Sequence, residues 1–76
     1  MRPDEDVLKQ VGVAFAILQV LDSGPRDTQS LQRETEKRLK AAVTDELFRE
    51  TLAGLATNRH IVEINGLWTL KSRGGP

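Results

Sequence analysis

The side chains of this sequence that could bind a ligand are mainly cations. The sequence does not have the groups that catalysis or metal binding requires. His60 is the only histidine and there is no cysteine, which excludes cysteine-based zinc sites, disulfides and thiol nucleophiles. No glycine-rich phosphate loop precedes a predicted helix, and no nucleophile lies at a spacing that pairs it with a base. We therefore expect no enzymatic activity and no metal or organic cofactor.

Clusters of cations lie within a balanced total charge. The 76 residues include 11 Lys plus Arg and 11 Asp plus Glu, so the formal net charge is zero. This balance excludes a strongly basic protein that binds nucleic acid by charge alone. However, residues 26–41 carry five cations against three acids, whereas residues 42–58 carry one against three. Arg33, Lys37 and Lys40 repeat on one face of a helix, where they would contact phosphates or remain solvated.

The length and the apolar runs limit the class of protein. We expect one domain, residues 1–76, because domains are rarely much smaller than this chain. The longest apolar run, residues 13–18, is far shorter than the roughly 20 residues that cross a bilayer. Acids at residues 4–6 replace the basic start and apolar run of a secretory signal. We expect an intracellular protein, cytoplasmic or nuclear, that does not bind a membrane.

Three helices and a hairpin are predicted from periodicity and capping signals. Thr44 is a strong N-cap residue, and Val43 with Phe48 has the spacing of a hydrophobic staple. Asn65-Gly66 lies between two β-rich runs, which is typical of a type I′ hairpin. The pattern predicts helices at residues 5–22, 28–41 and 45–57, strands at residues 60–64 and 67–71, and a frayed tail at residues 72–76.

The first predicted helix has more apolar positions than one buried face requires. Val11, Phe15 and Leu18 lie on a broad face that we expect to meet the core. This assignment leaves a second apolar patch on the opposite side of the helix. The patch is formed by Val13, Ala16 and Val20. Because such patches often mark interfaces, we expect it to bind a protein partner or to form a homodimer.

The predicted hairpin has two different faces. A two-residue loop pairs Ile64 with Leu67, so that Ile61 and Leu70 face the core. Trp68 either partly covers the core or joins an interface. The apolar residues that then face outward, as a second interface, are Val62, Ile64 and Leu67.

The order of these elements resembles the winged helix-turn-helix family over residues 5–71. The stretch from Val43, VTDELFRETLAGLATNRHIVEINGLWTL, contains L-x-x-L-x-x-N-R-x-I-x-x-x-x-G-x-W-x-L. This pattern is similar to the family's recognition helix, turn, first wing strand, glycine turn and closing leucine. The resemblance implies a mainly α fold, with three helices followed by a two-stranded wing. Where the family usually has a glycine after the third helix, this chain has Asn58-Arg59, and we expect Asn58 to be left-handed.

The resemblance also implies a function, with the third helix in the major groove of double-stranded DNA and the wing on the backbone. The residues that would contact DNA are Arg33, Lys37 and Lys40 on the second helix, Arg49 on the third, and Arg59, Lys71 and Arg73 around the wing. Of these, Arg49 would reach a base, and the others would contact phosphates. This interpretation gives a small dimeric transcription regulator.

Other features favour a protein-interaction module, a role that the same family also serves. The carboxylates of Asp45, Glu46 and Glu50 would repel phosphates if the third helix lay in the groove. The apolar patches on the first helix and on the wing suit a protein partner. Gly54 within the third helix costs about 1 kcal/mol relative to Ala, a cost that close packing against another backbone would offset.

Overall fold

The computed structural model describes residues 3–71, with side chains described from residue 9 onward. Three helices are followed by a two-stranded antiparallel hairpin, which is the predicted element order of a winged helix-turn-helix. The elements are α1 (Pro3–Asp22), α2 (Thr28–Leu39), α3 (Asp45–Thr57), β1 (Ile61–Ile64) and β2 (Leu67–Leu70). α1 packs against both other helices and against β2, so it is the central element. The tail predicted at residues 72–76 lies outside the described residues.

The starts of α2 and α3 are determined by side-chain caps. Asp27 Oδ1 accepts a hydrogen bond from Ser30 N at 3.0 Å, and Thr44 Oγ1 accepts one from Leu47 N at 3.1 Å. Hydrogen bonds from Ser30 favour the charged form of Asp27 and hold the pKa of its carboxyl below the usual range. Both helices therefore begin where a polar oxygen satisfies a free N–H group.

The end of α3 differs from the prediction. Asn58 has an ordinary φ of −85°, and Arg59 is the left-handed residue, with φ 63°. The prediction for Asn58 is wrong because the chain closes a Schellman motif, in which His60 N donates to Leu55 O at 2.9 Å and Arg59 N donates to Ala56 O at 3.0 Å. That motif places its left-handed residue one position after the C-cap, which is Asn58.

The hairpin has the predicted register, with Ile64 paired with Leu67 and Ile61 paired with Leu70. Each strand is one residue shorter than predicted at its outer end. Both residues of the Asn65-Gly66 loop have positive φ, 54° and 82°, as a type I′ turn requires. The local signal in the loop was therefore sufficient to set the pairing.

A third segment of chain pairs with β2, and sequence periodicity does not reveal it. Arg26 N donates to Trp68 O at 3.0 Å, and Trp68 N donates to Arg26 O at 2.7 Å. Trp68 also packs against the core, and its Nε1 donates to Thr28 Oγ1 at 2.9 Å. Trp68 is therefore a partial cover of the core, which was one of its two predicted roles.

The hydrophobic core lies between α1 and the elements that surround it. Its buried residues are Val13, Ala16, Ile17, Val20 and Leu21 from α1, Leu31 from α2, Phe48, Leu52 and Leu55 from α3, and Val43 and Ile61. Val43 and Phe48 are both buried on either side of the α3 cap, as expected for a hydrophobic staple.

The prediction for the two faces of α1 is wrong. Val13, Ala16 and Val20 are only 1%, 4% and 0% exposed, so they form no surface patch. Val11 and Phe15, expected in the core, are 58% and 66% exposed. α1 is apolar on nearly every side, so its own pattern does not determine its orientation. The packing of α2, α3 and β2 against it determines which side is buried.

Candidate nucleic-acid interface

Two polar side chains of α2 hold the start of α3. Gln32 Nε2 donates to Val43 O at 3.2 Å and to Asp45 Oδ1 at 2.9 Å. Glu36 Oε2, one turn further along α2, accepts from Val43 N at 2.7 Å. These bonds satisfy the backbone of the α2–α3 loop and keep the two helices at one relative orientation. The sequence signal for this contact was the i, i+4 spacing of Gln32 and Glu36 beside the buried edge of α2.

Exposed cations lie on α2 next to this contact. Arg33 directly follows Gln32 and Lys37 directly follows Glu36. Both cations are exposed. The neighbouring acids are engaged elsewhere, since Glu34 Oε2 accepts from Arg26 Nε at 2.7 Å and Glu36 bonds to the loop. The Arg26–Glu34 pair is the one ion pair among residues 9–71. Arg33 and Lys37 are therefore available to an external anion.

Lys40 does not continue this cationic face. α2 ends at Leu39 and not at residue 41, because Lys40 has a left-handed φ of 56° and its N–H bonds to Glu36 O. The spacing that grouped Lys40 with Arg33 requires a helix that continues through residue 40, and it does not. Lys40 is exposed, but it belongs to the loop.

The outward side of α3 carries more acids than cations. Asp45, Glu46 and Glu50 are exposed, and so is Arg49. The carboxylate of Asp45 accepts a hydrogen bond from Gln32, which leaves Glu46 and Glu50 as the freer negative groups. These two would lower the attraction of this helix for phosphates, as the sequence indicated.

The remaining predicted cations lie elsewhere on the molecule. Arg59 and Lys71 line a groove between α1 and the base of the hairpin, together with His60. Lys71 N donates to His60 O at 3.0 Å and joins the two ends of the hairpin. Among the described residues, the α2 cations do not line this groove, so the predicted set divides into two groups. Arg73 lies outside the described residues.

The outer face of the hairpin is apolar and exposed, as predicted. Val62, Ile64 and Leu67 are 38%, 54% and 42% exposed. Residues 61–70 contain no Lys or Arg, so the hairpin between its two ends offers no cation to a phosphate. This part of the wing is better suited to an apolar contact than to DNA.

Within residues 3–71, no helix is long and apolar enough to cross a membrane. Among the side chains described, those of residues 9–71, no group of His, Asp or Glu is placed to hold a metal ion. Comparisons with known protein families, with curated proteins and with solved structures find no match for this chain. Its surface chemistry is therefore the basis for a functional proposal.

Proposed function

We propose that this chain is a winged-helix protein that binds double-stranded DNA as a small transcription regulator inside the cell. The observation that supports it best is the position of exposed Arg33 and Lys37 beside a firmly held α3. In a helix-turn-helix, the first helix of the motif crosses the DNA backbone while the second lies in the major groove. α2 and α3 have these places in the chain, and Gln32 and Glu36 maintain their orientation.

The charges of the two helices suggest what kind of binding to expect. Arg33 and Lys37 would contact phosphates, and Arg49 would reach a base edge from α3. Glu46 and Glu50 would oppose this approach, so we expect the affinity to come mainly from contacts with the DNA backbone. With about three cations at the interface, the logarithm of the affinity should fall with the logarithm of salt at a slope of about −3.

The test is a fluorescence-anisotropy titration of the chain with a mixed-sequence duplex at low and at moderate salt. The double variant Arg33→Glu, Lys37→Glu should lose about tenfold or more in affinity. Arg38→Glu is the control for Lys37→Glu, because it makes the same charge change on another side of α2. No binding of the unaltered chain at low salt would contradict the proposal, and equal losses from Lys37→Glu and Arg38→Glu would contradict the residue assignment.

A second measurement tests whether α3 faces the DNA. Glu50→Gln removes a carboxylate from the outward side of α3 and should raise the affinity several-fold. Glu63→Gln, on the hairpin, makes the same chemical change away from α3 and should raise it less. If Glu50→Gln leaves the affinity unchanged, α3 does not lie against the backbone.

A second candidate function is a protein-interaction module that does not bind DNA. The specific observation in its favour is the outer hairpin face of Val62, Ile64 and Leu67, which is apolar and without cations. Such a face suits the apolar centre of a protein interface. The titration at low salt separates the two candidates, because the module would show no DNA binding there.

A further inference from the structure

The groove between α1 and the base of the hairpin has both apolar and charged walls. Its volume is about 550 Å³, within the range of about 300–1,000 Å³ that is usual for small-molecule sites. Leu18 and Leu70 are half-buried and pack against the core, so they form its inner, apolar wall. The polar side chains that line it are all exposed, and they are Gln19, Asp22, Arg59, His60 and Lys71. A ligand that fills the groove must therefore have an apolar part and a polar part.

The fold itself brings these walls together. Phe15, Leu18 and Asp22 lie at positions i, i+3 and i+7 of α1, so they share one side of the helix. The base of the hairpin is closed by the hydrogen bond from Lys71 N to His60 O, and β2 packs against α1. The groove is therefore formed by backbone and core contacts before any ligand binds, which reduces the entropic cost of binding.

The charges in this groove are not balanced. Arg59 and Lys71 carry two positive charges, and Asp22 is the one carboxylate that lines the groove among the described residues. The one ion pair among residues 9–71 is Arg26–Glu34, so Asp22 neutralises neither cation at ion-pair distance. With the histidine counted as neutral, two cations and one acid leave a surplus of one positive charge. This surplus matches a monoanion such as a carboxylate better than a dianionic phosphate monoester.

We propose that the groove binds a small monocarboxylate that has an apolar chain. The carboxylate lies between Arg59 and Lys71, and the planar guanidinium group donates two parallel hydrogen bonds to it. The chain of the ligand lies against Leu18, Leu70 and the ring of Phe15, whose apolar surface it removes from water. This site does not depend on DNA binding, because the cations of α2 do not line the groove.

Titration of the full chain with octanoate, followed by NMR of its backbone amides, tests the site. We expect a dissociation constant below about 1 mM, with the largest shifts at His60 and Lys71. Acetate has the carboxylate without the chain and 1-octanol has the chain without the charge, so each should bind about tenfold more weakly or worse. Equal affinity for 1-octanol, or shifts centred on the outer hairpin face, would overturn the proposal.

Two further ligands test the chemical class. Octyl phosphate has the same chain and a dianionic head, and N-acetyl-dileucine presents a carboxylate at the end of an apolar peptide. Both should bind more weakly than octanoate, because the surplus charge is one and the groove has little surface to satisfy peptide groups. Tighter binding of octyl phosphate would overturn the monoanion, and tighter binding of the peptide would assign the groove to a chain terminus instead.

Arg59→Gly tests the cation without a risk to the fold. Glycine adopts the left-handed φ of 63° at this position without a steric cost, so the variant should be at least as stable in thermal denaturation. Its dissociation constant for octanoate should rise about tenfold or more, because the charge-assisted hydrogen bonds are lost. Lys40→Gly is the matched control, since Lys40 is also a left-handed cation, with φ 56°, and does not line the groove. Equal effects of the two variants would overturn the proposal.

Phe15→Ala tests the apolar wall. Phe15 is exposed, so its truncation should leave the fold intact, as circular dichroism can verify. The dissociation constant for octanoate should rise about threefold or more, because the chain loses contact with the ring. Ile64→Ala truncates a similarly exposed apolar residue on the hairpin, outside this groove, and should leave the affinity unchanged. An unchanged affinity of Phe15→Ala would show that the chain of the ligand does not lie there.

Discussion

α1 and α2 pack against each other but have opposite kinds of surface. α2 buries a narrow edge of Leu31 and Thr35, and nearly all of its remaining surface is polar. α1 buries a broad face around Ile17 and still exposes Val11 and Phe15 on the other side. A helix like α2 can face the core in only one way, which leaves its polar side for a charged ligand. A helix like α1 can meet the core and a further apolar partner at once.

The narrow edge of α2 should give the largest effect of a single substitution. Leu31 is fully buried and is one of only two buried residues among those described in α2. Leu31→Ala should lower the free energy of unfolding by about 3–4 kcal/mol, measured by urea denaturation. Gln29→Ala, exposed on the same helix, should change it by less than about 0.5 kcal/mol. A loss below about 1 kcal/mol for Leu31→Ala would show that this edge does not anchor α2.

The two sides of α1 should differ in a matched pair of substitutions. Val13→Ala removes two methyl groups from the core and should cost about 2 kcal/mol in the free energy of unfolding. Val11→Ala makes the same change on the exposed side and should cost almost nothing. Urea denaturation of both variants measures the difference. Equal costs would mean that α1 does not have the orientation described above.

Removing the hydroxyl in the buried edge of α2 should have a smaller effect, and it should raise the free energy of unfolding instead of lowering it. Thr35 Oγ1 is buried without a hydrogen-bond partner among the described residues, whereas Thr51 Oγ1 in α3 donates to Leu47 O at 2.7 Å. Thr35→Val keeps the shape and removes an unsatisfied hydroxyl, so it should raise the free energy of unfolding by about 1 kcal/mol. Thermal denaturation should show no gain for Thr51→Val. A loss for Thr35→Val would indicate that its hydroxyl is bonded in solution.

The cap of α2 should give the smallest effect, and one that depends on pH. The pKa of Asp27 is lowered from 3.8, first by the hydrogen bond with the Ser30 side chain and then by that with its backbone. A carboxyl whose pKa is lower in the folded state stabilises the fold above about pH 4, and this is lost as the pH falls through the folded pKa. Asp27→Ala should therefore lower the thermal midpoint at pH 7 more than at pH 2. Asp27→Asn, which keeps a capping oxygen, is the control.

Local chemistry explains which parts of the fold were predictable. The register of the hairpin follows from Asn65-Gly66, and the start of α3 follows from Thr44, because these signals act within a few residues. The orientation of α1 depends on three elements packed around it, and its own pattern allowed two solutions. The bridge between Arg26 and Trp68 joins distant positions through a single residue pair, which leaves no periodic pattern.

The exposure of individual residues of the candidate site was predictable from the sequence, but their arrangement into one surface was not. The exposure of Arg33 and Lys37 follows from their place opposite the buried edge of α2. The separation of Lys40 from them does not, because it depends on the left-handed residue at which the helix ends. The predicted register already brings Arg59 close to Lys71 at the base of the hairpin, whereas their position beside α1 requires the tertiary arrangement.

The exchange of two backbone hydrogen bonds between Arg26 and Trp68 ties the hairpin to a loop 42 residues earlier in the chain. A two-stranded hairpin by itself is only marginally stable in water. Closing so long a segment of chain costs entropy, and the assembly of the helices offsets this cost. The amide of Trp68 should therefore exchange with solvent only when the loop between α1 and α2 opens. The wing then belongs to the same cooperative folding unit as the helices, and it does not fray independently of them.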